Sequence, residues 1–211
     1  MALFHLATIT PTKAELITAW LPTQPWGPAP DVPVEVIGAY RFDDPAGRVG
    51  MEIHITKAGD AVFQVPLSYR DEPLEGAAEG SLITEMEHSV LGTRWVYDGL
   101  RDPQLMVMLA AVAMTGQGEA LGMAVYDGRW YVAPTNVRIQ GGGWTMERVP
   151  VDRFEIDDPQ ASPATLRNDR FELTVHRRLL PGQRPPIGLI ATWNGHPDPV
   201  VLAELRDFAA S

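Results

Sequence analysis

Within fifteen consecutive residues, 85–99, the chain gathers Glu85, Glu87, His88, Arg94, Tyr97 and Asp98. Those side chains could supply an acid, a base and an anion clamp. Glu85 and Glu87 beside His88 could also ligate a divalent metal, which takes carboxylate and imidazole donors at close range. No second donor cluster occurs elsewhere in the sequence. A strand over 81–87 would place both glutamates on one polar face, with Leu82, Thr84 and Met86 turned inward. A weak hydrolase using Glu85 or Glu87 as base needs a carboxylate of raised pKa in a cleft, and nothing in the sequence demands one. A buried polar set must be hydrogen-bonded merely to be tolerated. The preferred reading is therefore a polar network under a joint where sheet gives way to helix, with no metal and no cofactor.

Other chemistries are poorly supplied. Cysteine is absent, which removes disulfides, thiolate metal sites and a cysteine nucleophile, and fits a reducing cytoplasm. No G-x-S-x-G elbow occurs, and His88 and Ser89 would point apart in a strand. The Gly-rich 140–144, QGGGW, lacks the Lys-Ser/Thr of a phosphate loop and reads as a bulge or tight turn. His5, His54, His176 and His196 are scattered, two of them on the polar faces of strands. Acidic residues outnumber basic ones by 27 to 17, for a net charge of −10. Such a surface repels nucleic acid and anionic lipid. The amino terminus is not a signal peptide, and no apolar run reaches the roughly eighteen residues of a membrane span. The tryptophans read mostly as core mass, with Trp26 in a Pro-rich surface loop the exception.

The elements that must position these groups are mostly strands. Residues 32–42 alternate around a bulge at Gly38. Met51, Ile53 and Ile55 alternate with Glu52, His54 and Thr56. After the turn KAGD, Phe63, Val65, Leu67 and Tyr69 alternate with Gln64, Pro66 and Ser68, which makes a β-hairpin with Pro66 marking an edge or a bulge. Residues 71–80 read as a loop. Asp102 and Pro103 open the strongest helix, closed by Gly116 and Gly118. A second helix follows Thr10 or Thr12 and stops at Pro22. A third is expected over 198–209, opened by Asp198 and Pro199. A hairpin turns at Asp127-Gly128. Residues 171–180 form a strand partnered by 187–195, with 179–186 a rigid loop between them. The pattern is α+β with curved antiparallel sheets wrapped by a few helices. It divides into 1–118 and a second sheet-rich region, 119–211, packed against the first or continuous with it.

Three segments carry a family resemblance: AWLPTQPW (19–26), VFQVPLSYR (62–70) and HSVLGTRWVYDGLRDPQ (88–104). In that order they resemble the N-terminal cap domain of actinobacterial maltokinases, and small stand-alone cap-like proteins are similar over more of the chain. The resemblance implies a cystatin-like curved sheet in the first half, with Tyr97, Asp98 and Asp102 organising a helix start at the joint. In the second half, 167–186 resembles the start of the kinase's intermediate region. Thr174 stands there in place of the lysine that meets nucleotide phosphates. Phosphoryl transfer also needs an aspartate base with a downstream asparagine and a second aspartate for magnesium. His196-Pro197-Asp198 has no such asparagine, and Asp207-Phe208-Ala209 falls at the end of the sequence. Glycogen branching needs paired carboxylates on a large barrel. The expectation is a cytoplasmic, non-catalytic interaction or regulatory module with a protein partner, a sugar kinase or a glycogen-pathway enzyme. The rival is a sugar-binding protein whose concave sheet face carries Trp26, Tyr69, Arg94 and Trp95, with Glu85, Glu87 and His88 nearby.

Overall fold

The structure, a computed structural model, describes residues 2–4 and 7–210, so that His5 lies outside the described residues. In chain order, β1 (Ala2–Phe4) and β2 (Ile9–Thr10) precede helix α1 (Lys13–Trp20). Strands β3 (Val34–Phe42), β4 (Val49–Ala58), β5 (Ala61–Arg70), β6 (Leu82–His88) and β7 (Gly92–Asp98) lead into helix α2 (Pro103–Thr115). Then come β8 (Gly122–Tyr126), β9 (Arg129–Val132), β10 (Val137–Gly141), β11 (Glu155–Ile156) and β12 (Ala164–Arg167). The last strands are β13 (Phe171–Val175), β14 (Arg178–Leu179), β15 (Gly188–Trp193) and β16 (His196–Asp207).

The fold is α+β, mainly β. The first sheet runs β2-β6-β7-β5-β4-β3, with β14 adding to β5. The second runs β10-β15-β16-β13-β12-β11, and a small third joins β1, β8 and β9. The third turns at Asp127 and Gly128, both with positive φ, as a type I′ turn requires.

Each helix is fixed by its own ends. Glu15 N–H donates to Thr12 Oγ1 while the Glu15 carboxylate accepts from Thr12 N–H, a capping box. Asp102 accepts from Gln104 N–H at 3.0 Å with Pro103 in the first turn, and Gly116 closes α2 at φ +67°. Helix α2 is apolar almost all round and buries Leu105, Met106, Leu109, Ala110, Val112, Ala113 and Met114. It lies between the first two sheets. Met51, Ile53 and Ile55 from one side and Phe171, Leu173 and Leu202 from the other join it in a single apolar cluster drawn from both halves of the chain. Each such fully buried side chain contributes about 1.5–3 kcal/mol relative to exposure.

Several sequence expectations are corrected. The helix expected over 198–209 is strand β16, which lies between β15 and β13, so those two strands are not partners. Val200, Val201, Leu202 and Ala203 are all buried, on both faces of the sheet, and such a run lacks the alternation that marks a strand. The glycines of 140–144 serve close approach rather than a bulge or turn. A Cβ on Gly141 would come 2.0 Å from the Val112 carbonyl oxygen, and one on Gly143 2.6 Å from that of Met114. Leu82 faces outward, 45 % exposed, because a register shift between Leu82 and Thr84 changes the phase of β6. Finally, His54 is not on a solvent face at all. Pro66 lies neither on an edge nor in a bulge: its neighbour Gln64 bonds the Arg177 carbonyl, β7 begins pairing at Leu67, and Pro66 occupies the gap where no donor is needed.

Candidate functional site

The β4–β5 hairpin has no solvent face. Its register pairs Glu52 with Leu67, His54 with Val65 and Thr56 with Phe63, and this face turns toward α1. There Leu16, Ile17 and Leu21 pack with Phe63, Val65, Leu67, Met86 and Val96 in a second apolar cluster. Two charged groups are set into that interior.

The first joins the two halves of the chain. Arg177, 0 % exposed, donates to Asp98 Oδ2 at 2.8 Å, and its guanidinium lies 4.6 Å from the Trp26 ring. Asp98 also accepts from Leu100 N–H at 3.2 Å, starting the turn into α2. Beside it, Arg70 donates two 2.7 Å hydrogen bonds to the buried Asp102 carboxylate, the same group that caps α2. Tyr97 Oη accepts from Leu74 N–H at 2.8 Å. Three of the acidic and phenolic groups in 85–102 are thus consumed in holding β7, the 71–80 loop and α2 together.

The second group surrounds Glu52. The Lys13 ammonium, from the first turn of α1, pairs with Glu52 and lies 5.4 Å from the Tyr69 ring centroid. Tyr69 Oη and His54 Nε2 are 3.3 Å apart, and His54 Nε2 is 3.9 Å from the Glu52 carboxylate. Burial pushes the His54 imidazole down to about 4, so it is neutral at pH 7. Burial works to raise the Glu52 carboxyl, but neighbouring His54, Lys13 and Arg41 outweigh it and hold Glu52 below its ordinary value. The charge distribution at neutral pH is therefore Glu52⁻ with Lys13⁺ and neutral His54. Burial also pushes the Tyr69 phenol well above its ordinary value, so it remains protonated.

Lys13, Glu52 and Tyr69 of this cluster form one wall of a cavity of about 420 Å³. Arg41, Arg94 and His88 add to the wall, and the loop between β3 and β4 forms its rim. Asp44 shapes that loop by accepting from the N–H groups of Ala46, Arg48 and Val49 at 3.0, 2.8 and 2.9 Å. Arg94 donates through Nη2 to the Leu91 carbonyl at 2.8 Å, while its buried Nε has no hydrogen-bond partner in the protein.

Of the sequence-derived site residues, the structure gathers Tyr69, His88 and Arg94 around the cavity. Trp26, expected on a surface loop, is 9 % exposed and packs beneath Arg177 and against Trp20 and Phe63. Glu85, Glu87 and Trp95 share the opposite face of the β6–β7 hairpin, as their register dictates. Glu87 accepts from Thr93 Oγ1 at 2.8 Å, and His88 Nδ1 accepts from the turn amides of Val90 and Leu91. No group of three or more metal-ligating side chains is gathered among the described residues. Sequence reasoning missed Lys13, Arg41, Glu52 and His54. For Glu52 and His54 the signal was present: a tight hairpin at 58–61 fixes the pairing, which sets them opposite the apolar Leu67 and Val65.

A curled antiparallel sheet, packed on one face by a short capped helix and on the other by an apolar one, defines the class of this protein. Its segment 20–102, from the end of α1 to the cap of α2, matches the family model of the maltokinase N-terminal cap domain. No curated protein gives a significant match to the chain.

Proposed function

We propose that this chain acts as a non-catalytic cap module that docks on the body of a sugar kinase of the maltokinase kind. The observation that carries this reading is the family match over 20–102, since a cap domain is by its name the N-terminal part of a maltokinase. The second half supplies a surface suited to such docking. The β8–β9 register places Met123, Val125, Trp130 and Val132 on one face of the hairpin, and Val125, Trp130 and Val132 are 45–70 % exposed. Within these 211 residues, His196-Pro197-Asp198 opens strand β16 and lacks the downstream asparagine of a phosphoryl-transfer loop. The test is to mix the chain with a maltokinase body stripped of its own cap and follow complex formation by light scattering. The expected result is a stoichiometric complex that Trp130→Ser with Val132→Ser weakens. Absence of a complex with the wild-type chain, or sugar phosphorylation by the chain alone, would count against the reading.

A further inference from the structure

The cavity beside α1 shares no lining residue with the β8–β9 face, and its walls are unlike a simple polar gap. We propose that it is a binding site for a small, neutral, polyhydroxylated ligand of the saccharide type. Four cations line it, Lys13, Arg41, Arg48 and Arg94, and so do four carboxylates, those of Asp43, Asp44, Glu52 and Asp71. Equal numbers of positive and negative groups leave the lining with no net charge to favour an ion of either sign. They do set donors and acceptors side by side on planar or compact heads, and a hydroxyl can both donate and accept.

Several of these valences are open toward such a ligand. Arg94 lines the cavity with a guanidinium of five N–H donors, one of them given to the Leu91 carbonyl. Lys13 carries three N–H donors, of which Glu52 takes one. Exposed Asp71 and Arg48 lie at the rim. Vicinal hydroxyls can accept from Lys13 and Arg94 while donating to Asp71. A phosphate would meet the four carboxylates, and an ammonium the four cations. The volume, about 420 Å³, lies within the ordinary range of small-ligand pockets.

Ligand-observed NMR on the full chain, with glucose, maltose, glycine and inorganic phosphate as separate probes, tests this directly. The expected result is saturable binding of glucose or maltose and none of glycine or phosphate. Arg94→Met should weaken that binding about tenfold, the usual consequence of losing a hydrogen bond from a charged donor. Asp71→Asn, at the exposed rim, serves as a second variant that leaves the interior untouched and should weaken binding as well. Trp130→Ser should leave it unchanged. Binding of phosphate or glycine in place of the sugars, or saturable binding of none of the four, overturns the proposal. So does sugar binding that neither Arg94→Met nor Asp71→Asn alters.

Discussion

The two faces of the β4–β5 hairpin are both interior, yet they are built differently. On the α2 side, Met51, Ile53 and Ile55 are 0 % exposed and packed in an apolar cluster, and the buried polar groups beside them, Gln64 and Ser68, are uncharged. On the α1 side, Glu52 and His54 are only 6 % and 3 % exposed, and they carry ionisable groups into a cluster of Leu16, Ile17 and Leu67. The dry face is stabilised by area and close packing. The charged face is stabilised only so long as every charge keeps its partner, because an unpaired buried charge costs far more than the pair returns. A fold can spend stability in this way where it keeps a cavity open to solvent, and the charged face is the one that has the cavity.

The sharpest way to break the contrast is at Asp98 and Arg177, on the charged side. Asp98→Ala leaves a fully buried guanidinium unpaired and should cost about 3–5 kcal/mol in denaturant unfolding. The double variant Asp98→Leu with Arg177→Met should recover most of that loss, which separates the cost of an orphaned charge from the worth of the pair. On the dry face, Ile53→Ala should cost about 2–5 kcal/mol, with no partner able to rescue it. A cost below 1 kcal/mol there would mean that α2 does not pack as described.

The pH response distinguishes the faces next. His54 has a folded pKa of about 4 against 6.5 as its ordinary value. The unfolded chain then binds more protons in that window, so stability is complete above 6.5 and falls with pH toward about 4. The slope from this group alone approaches 1.4 kcal/mol per pH unit, or about 2 kcal/mol by pH 5. Glu52, also lowered, extends the loss below its ordinary 4.5. His54→Gln should flatten the curve between pH 5 and 6.5, whatever it does to stability at pH 8, and an unaltered slope would reassign the effect. Smallest of all, Thr12→Ala removes the cap that seats Lys13 in the first turn of α1 and should cost about 1 kcal/mol.

The hairpins at 58–61 and 127–128, the bulge near Gly38 and both helices were legible from alternation, turn residues and caps. Residues whose environment is set by distant chain were not. Val200–Ala203 read as helix because a strand buried on both faces loses its period. Trp26 read as surface because its Pro-rich flanks say nothing of Arg177, which arrives from the other half of the chain. His54 read as solvated because alternation identifies two faces without saying what covers each. Five of the site residues drawn from sequence, Glu85, Glu87, His88, Arg94 and Trp95, straddle a sheet: local spacing grouped them, and the pleat then divided them. Register would have separated Glu85, Glu87 and Trp95 from Arg94, and would have brought Glu52 opposite Leu67.

The measurement that bears most directly on a charged interior beside α1 is a heteronuclear NMR titration of the histidine rings. The His54 ring should stay neutral through the physiological range and protonate only near pH 4. A His54 midpoint near 6.5 would place that ring in water and contradict the second interior.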